Sequence, residues 1–308
     1  MTSPAPDHPY TIAVTGASGL LASGFIRLAL EQGHRIVALD RMPTAPAPSS
    51  FPAYTYTQVD LLDYDAFLSV VKEGGCDAIV HLAAACRKHD GFGNYLDGGL
   101  KEREVYTMNT AMSYNALSIA AELGIQRVVM ASSVNSIGML FSKTPQFDYL
   151  PLDEQHAHYP EDAYSLAKHA SELQASALTR RNPHLPLRIA SLRFHWVVPT
   201  PLATPSSIAS HLGSPKDLFG WVSVSSASEA VLLALTAPLT TFPAGHEAFF
   251  IVARTLCGGR TREEAIAELA GGVEWRGGEE GMRGNGGLFD TRKAERMLGW
   301  VDEGYPIE

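Results

Sequence analysis

Thr11-Ile12-Ala13-Val14-Thr15-Gly16-Ala17-Ser18-Gly19-Leu20-Leu21-Ala22 joins a short apolar run to the start of an amphipathic one through a turn carrying two glycines. Thr11–Val14 reads as a buried strand, Leu20–Gln32 as a helix closed by Gly33, and Arg35–Asp40 as a second strand. Together they form a βαβ unit. Gly16 permits the tight bend, Gly19 lets a pyrophosphate approach the backbone, Ala22 takes the third position of the fingerprint, and the helix start offers N–H groups and a positive dipole end. Gly16, Ser18, Gly19 and Leu20 are therefore candidate contacts to a dinucleotide; the plain alternative is an ordinary strand-to-helix turn. Asp40 ends the second strand, where a carboxylate accepts hydrogen bonds from ribose hydroxyls and repels a 2′-phosphate. This favours NAD over NADP, with Arg41 as the contrary signal, since a guanidinium accommodates that phosphate.

The same alternation continues along the chain. Tyr54–Val59, Asp77–Ala83, Arg127–Ser133 and Leu187–Phe194 read as strands, and Tyr64–Glu73, Glu102–Leu123 and Asp162–Arg181 as helices. The expected fold class is α/β, a Rossmann-type doubly wound parallel sheet with a smaller C-terminal substrate-binding cap. Residues 1–195 are expected to form mainly the NAD-binding domain, and residues 196–308 mainly the cap, partly interleaved with the core. Prolines interrupt the later part, where Glu229–Leu235, Thr261–Ala270 and Asp290–Leu298 read as helices and Phe249–Ala253 as a strand. Asp60 and Leu61 after the third strand, and Leu82, Ala83 and Ala84 after the fourth, fall at the sheet's carboxyl edge, where ligands of such folds lie.

Composition narrows the class further. With 308 residues, 45% of them hydrophobic, the chain has material for a large core. Its 24 Lys and Arg against 33 Asp and Glu give a charge of -9, which argues against nucleic acid and anionic membrane partners. Cys76, Cys86 and Cys257 form no CxxC pair, so neither a disulfide scaffold nor a zinc site is indicated. Met1–Tyr10 lacks the apolar core of a signal peptide, and Thr11–Leu30 contains three glycines and Arg27, so neither export nor a membrane span is expected. The expected location is cytoplasmic.

Tyr164-Ser165-Leu166-Ala167-Lys168 places a phenol and an ammonium on one face of a helix. A cation beside the phenol lowers its pKa toward working pH, as proton transfer to a carbonyl or from an alcohol requires. Alone, this spacing also describes a solvated helix face. Here it follows a strand ending in Ser132-Ser133, whose hydroxyl can hold a substrate oxygen beside the tyrosine.

The chain resembles an extended short-chain dehydrogenase/reductase of the NAD-dependent epimerase/dehydratase family. The matching features are Thr15–Ala22, Asp40, Asp60-Leu61, His81–Ala84, Asn109, Ser132–Gly138, Tyr164–Lys168, Leu192-Arg193, and Phe289–Lys293 followed by Leu298-Gly299-Trp300. The resemblance implies Tyr164 as acid/base, Lys168 as the group that lowers its pKa and binds the nicotinamide ribose, and Ser133 as the residue orienting the substrate oxygen. It also implies Asn109 in the helix completing the catalytic and cofactor site, and a homodimer formed through the helices of Asn109–Leu123 and Tyr164–Arg181.

Family chemistry divides between dehydrogenases and NDP-sugar epimerases or dehydratases, all using Tyr, Lys and Ser. After Leu192-Arg193 this chain reads Phe194-His195-Trp196, without the Asn that epimerases place there, and no Thr-Asp-Glu lies near Ser133. These departures favour an NAD(H)-dependent oxidoreductase acting on a small polar, sugar-like molecule. The alternative is an NDP-sugar epimerase or dehydratase with bound NAD, and the third reading a catalytically silent NAD-binding regulator. Gly220–Ser223 is similar to uronate dehydrogenases, but Val134-Asn135 replaces their Asn-His. Asn135, His195, Trp196 and Trp221 are candidate substrate residues, along with Arg87, Lys88 and His89, and Gly91–Gly99 is a candidate lid. His156 and His158 beside Asp153 and Glu154 suggest a metal, but the family chemistry needs none, so no metal is expected.

Overall fold

The computed structural model describes residues 9–43, 51–87, 99–199, 213–269, 272–278 and 287–302. Its strands are β1 (Thr11–Thr15), β2 (Arg35–Asp40), β3 (Tyr54–Gln58), β4 (Ala78–His81), β5 (Arg127–Ser133), β6 (Tyr149–Leu150), β7 (Arg188–Phe194), β8 (Val197–Val198), β9 (Val222–Ser223), β10 (Gly245–Ile251) and β11 (Glu274–Trp275). Its helices are α1 (Leu20–Glu31), α2 (Tyr64–Glu73), α3 (Glu102–Leu123), α4 (Ala163–Arg181), α5 (Val224–Thr236), α6 (Arg262–Ala267) and α7 (Arg292–Leu298).

Seven strands form one parallel sheet in the order β3-β2-β1-β4-β5-β7-β10. The central strands are apolar on both faces because helices cover both, as in other parallel sheets. On one face Phe25 and Ile26 of α1, Ala227 and Val231 of α5, and Leu298 of α7 pack with Val14, Val129 and Leu192. On the other, Phe67 of α2, Leu117 of α3 and Leu178 of α4 pack with Ala13, Ile79 and Val128. Fully burying side chains such as Phe25, Phe67 and Ile79 contributes about 1.5–3 kcal/mol each. Gly24 lets α1 and α5 meet closely, since a Cβ there would lie 2.4 Å from Val224 Cγ1.

Residues beyond 195 are not confined to a cap. The strand expected at Phe249–Ala253 runs as Gly245–Ile251 and extends the main sheet beyond β7, while α5 and α7 pack on the sheet. What remains builds a third core, in which Phe219, Trp221, Phe250 and Phe289 pack with Val134 and Ile137 from the loop after β5. Two short parallel pairs, β6 with β11 and β8 with β9, hold this part to the segments after β5 and β7. Two-residue strands carry no period for a sequence to reveal. Among the described residues, no helix is long and apolar enough to cross a membrane.

Candidate active site

The quoted turn closes through Gly19 N–H donating to the Gly16 carbonyl at 2.9 Å. Gly16 has φ +69°, and a Cβ there would lie 2.7 Å from the Ala83 backbone, so this position requires glycine on both counts. Leu82 N–H donates to the Thr15 carbonyl at 3.2 Å and Ala83 N–H to Thr15 Oγ1 at 3.4 Å, which brings Leu82–Ala84 against the turn. Asp40 reaches across from β2: its Oδ2 accepts from Ser18 N–H at 2.9 Å and its Oδ1 from Met42 N–H at 3.2 Å. Ser18, Gly19 and Leu20 are exposed. Asp60 is exposed and caps its own turn through Leu62 N–H, whereas Leu61 is core.

These residues fit a dinucleotide. The start of α1 has no capping side chain and no acidic residue in its first turn. By contrast, Asp63, Asp162 and Ser223 cap α2, α4 and α5. Outside Gly19 a Cβ would meet the Gly16 carbonyl oxygen alone within contact distance. An open helix start with unclaimed N–H groups beside a glycine is suited to a pyrophosphate.

On the neighbouring part of the same edge, Asp162 starts α4 by accepting from Tyr164 N–H at 2.9 Å and Ser165 N–H at 3.0 Å, and from the Ser165 hydroxyl. The Tyr164 ring is half-buried, with Phe141 edge-on at 5.8 Å. Its phenol faces Ser133, whose side chain favours the ionised form. Ser133 ends β5 and caps the 3₁₀ turn Val134–Ile137, accepting from Asn135 N–H at 3.1 Å. Lys168, one turn along α4, lies with Nζ 5.5 Å from the tyrosine ring centroid and donates to the Ala131 carbonyl. The structure thus brings Ser133, Tyr164 and Lys168 together.

The two ionisable side chains are both shifted by burial. Burial first, then the charge of Cys86, push the phenol above its ordinary range; the Ser133 side chain opposes this and Asp162 adds to it. Lys168 itself is pulled down to about 8 by burial, with Cys86 and Glu172 opposing. A partly desolvated ammonium committed to a carbonyl has little left to offer the ring. Cys86 lies outside any motif, so the sequence carries no signal of its place beside a tyrosine far along the chain.

Asn109 of α3 is buried and holds the segment after β4. Its Oδ1 accepts from Ala85 N–H at 2.8 Å, while Nδ2 donates to the Ala85 carbonyl at 2.7 Å and the Val105 carbonyl at 2.9 Å. It is a positioning residue that grips the chain just before Cys86. With His81, Lys168 and Ser171 it lines a small cavity behind the tyrosine.

The candidate substrate residues separate. Asn135 is buried beside Ser133, with Nδ2 3.4 Å from Ser133 Oγ and Oδ1 lacking a partner. Trp196 is 43% exposed. His195 is buried and held at both ring nitrogens: Nδ1 accepts from Trp196 N–H at 2.6 Å and Nε2 donates to the Asp217 carbonyl at 2.8 Å. Burial keeps its pKa low and the ring neutral. Trp221 is 2% exposed, with its indole N–H on Thr255 Oγ1. Arg87 pairs with Glu102 at 3.5 Å. Lys88, His89 and the expected lid at 91–98 lie outside the described residues.

Beneath the site lies a buried network that sequence reading missed. Glu172, one turn beyond Lys168, accepts from Arg193 Nε at 3.0 Å, Arg193 Nη2 at 2.8 Å and Ser132 Oγ at 2.5 Å. Burial acts to raise this carboxyl, but Arg193 and Ser132 outweigh it and hold it below the usual carboxylate range. His158 accepts from Arg193 at 3.1 Å, stacks on His169 at 3.9 Å, and is pushed down to about 4 by burial and the guanidinium. Ligand-type atoms of His158, His169 and Glu172 lie within 4.8 Å of one another, yet Arg193 occupies the acceptors a cation would need.

Three comparisons bear on this arrangement. The model of the NAD dependent epimerase/dehydratase family matches residues 12–207. Cinnamoyl-CoA reductase 1 of Petunia hybrida is 27% identical over 142 residues, covering 44% of this chain and 38% of the relative. UDP-glucose 4-epimerase of Lacticaseibacillus casei is 25% identical over 162 residues, covering 53% and 45%. The matched stretch thus spans less than half the length of these curated relatives. The Bordetella bronchiseptica enzyme WbmG, solved with NAD and UDP, superposes with a TM-score of 0.64 at 18% identity, covering 96% of this chain and 90% of that one.

Proposed function

The chain belongs to the NAD dependent epimerase/dehydratase family, and we propose that it acts as an NAD(H)-dependent oxidoreductase interconverting a secondary alcohol and a carbonyl on a small polar, sugar-like substrate. The observation that carries the chemistry is the convergence of Ser133, Tyr164 and Lys168 beside the open glycine turn at one edge of the sheet. Trp196, exposed where sugar-nucleotide epimerases place an asparagine, favours net oxidation or reduction over epimerisation.

The unclaimed backbone N–H groups that open α1 at Leu20 would hold the pyrophosphate beside Gly19, Asp40 the adenosine ribose, and Lys168 the nicotinamide ribose. When bound, NAD supplies the hydride acceptor or, reduced, the hydride donor. Ser133 Oγ and the Tyr164 hydroxyl would receive the substrate oxygen between them. Tyr164 passes a proton to that oxygen in reduction and takes it back in oxidation. Asp162 fixes the ring's approach by anchoring the first turn of α4. Tyr106, Tyr114, Leu166 and Leu173 leave exposed apolar surface on α3 and α4, which supports the homodimer expected from the resemblance.

Incubation with NAD or NADH against sugars, sugar acids, hydroxy acids, ketones and sugar nucleotides tests this reading. Net change in nicotinamide absorbance, lost in Tyr164→Phe, is expected. The second reading is an NDP-sugar epimerase, favoured by the likeness to the Lacticaseibacillus epimerase. Isomerised sugar nucleotide with no net cofactor turnover would establish it in place of the first.

A further inference from the structure

The opposite edge of the sheet holds a second concentration of unsatisfied polar groups. Arg127 and Arg188 open β5 and β7 as directly paired residues. Side chains on a strand alternate between faces, and Val129, Ala190 and Leu192 lie in the core under α1 and α5, so both arginines face that side. Arg188 is 2% exposed. Its Nη1 donates to the carbonyls of Ala237 and Phe242 at 2.5 and 3.2 Å, but its Nε and Nη2 are buried without partners among the described residues. Arg127 is half-buried, lies with Cζ 5.0 Å from the Tyr10 ring centroid, and also buries an unpartnered Nε.

No carboxylate among the described residues forms an ion pair with either arginine. Asp77, at the same edge, accepts from Thr11 N–H. Buried charges are ordinarily paired, because an unpaired one loses its hydration for nothing. Two like charges on neighbouring strands raise that penalty, and burial with Arg127 pulls Arg188 down to about 10. A third unpaired donor sits at the same corner: His34, 1% exposed, accepts from Tyr10 N–H at Nδ1, which places its proton on an unpartnered Nε2.

We propose that this amino edge is a binding site for a small oxyanion, phosphate or carboxylate, held between Arg188 and Arg127. Guanidinium donors in a planar fork match the paired oxygens of both groups. Arg127, on the solvent side, is the entrance, and Arg188 the buried anchor. A seven-residue strand separates this site from the catalytic edge by about 20 Å. The oxyanion has two sources: free phosphate, or the carboxylate of Asp7, three residues before Tyr10 in the sequence and outside the described residues.

The test is calorimetric titration of the full chain with inorganic phosphate at constant ionic strength, with saturating NADH so that the glycine turn does not compete. One saturable phosphate per chain is expected, bound at least tenfold more weakly by Arg127→Met and Arg188→Met while NADH affinity stays within twofold. Should Arg188→Met fail to fold, Arg127→Met carries the result, since its side chain is part-exposed. If only Asp7→Asn binds phosphate, and loses it when Arg127→Met is added, the site is real and the chain's own carboxylate fills it. Phosphate binding absent from both wild type and Asp7→Asn, or retained in both arginine variants, overturns the proposal. Turnover is not measured, so the outcome is independent of the proposed reaction.

Discussion

Tyr164, Lys168 and Glu172 follow one another at single turns along the same face of α4, yet the two ends of that stripe are built differently. At the upper end a half-buried phenol meets Ser133 at the open sheet edge, and the ammonium below it is weakened by burial. At the lower end the Glu172 carboxylate is buried and takes three short hydrogen bonds from Arg193 and Ser132. On the proposed reaction, the groups that change partners or protonation are left in reserve, while the groups beneath them are saturated and fixed. Only a rigid lower end lets the upper end be loosely satisfied without collapsing.

The strongest attack on this contrast is Tyr164→Phe. It should reduce turnover by about 10²–10⁴-fold, the range for a positioned acid/base group, and leave NADH affinity nearly unchanged in a fluorescence titration. A comparable loss of cofactor binding would mean that the upper end is structural too. Next is Arg193→Met, which strands Glu172 as an uncompensated buried charge. A loss of about 3–5 kcal/mol in urea unfolding is expected, with much of it recovered when Glu172→Met is added. A loss under about 1 kcal/mol would show that the lower end is not locked.

Lys168 sharpens the comparison through pH. Its folded value near 8 lies below its ordinary 10.5, so the buried ammonium destabilises the fold at pH below about 8. That penalty fades as pH rises from about 8 toward 10.5. Stability relative to Lys168→Met should therefore rise across this window, while kcat/KM for reduction falls as the ammonium is lost. Parallel rather than opposed trends would remove Lys168 from the reaction. The smallest effect belongs to Asp40→Ala, expected to shift the NAD to NADP preference about tenfold, or about 1.4 kcal/mol. An unchanged ratio would leave Asp40 only its tether to Ser18.

Periodicity made much of the fold readable in advance. The bounds expected for Arg35–Asp40, Tyr64–Glu73, Glu102–Leu123 and Arg127–Ser133 coincide with β2, α2, α3 and β5, because long amphipathic helices and doubly buried strands leave distinct patterns. The spacing of Tyr164 and Lys168 was also visible, being local to one helix. What escaped depends on partners distant in sequence. Glu172 meets Arg193 and Ser132 across 21 and 40 positions. His195 and Trp221 look like pocket residues as letters, but Gly220 presses against the histidine, where a Cβ would lie 2.5 Å from its ring. Neither burial nor a tautomer fixed by Trp196 N–H can be read from one residue type.

The last strand carries a consequence for synthesis. β10 arrives well after its neighbour β7, and Phe250 N–H on its outer side is taken by Glu154. On the ribosome the outer rim of β7 therefore stays unpaired until Ile251 emerges, for roughly 3 to 11 s at about 5–20 residues per second. During that interval the nascent chain already holds every group of the Ser133, Tyr164 and Lys168 set, but presents a bare apolar edge to other chains. Chaperone demand and aggregation in translation should concentrate there, in a stretch that follows the Ser133, Tyr164 and Lys168 set in the chain.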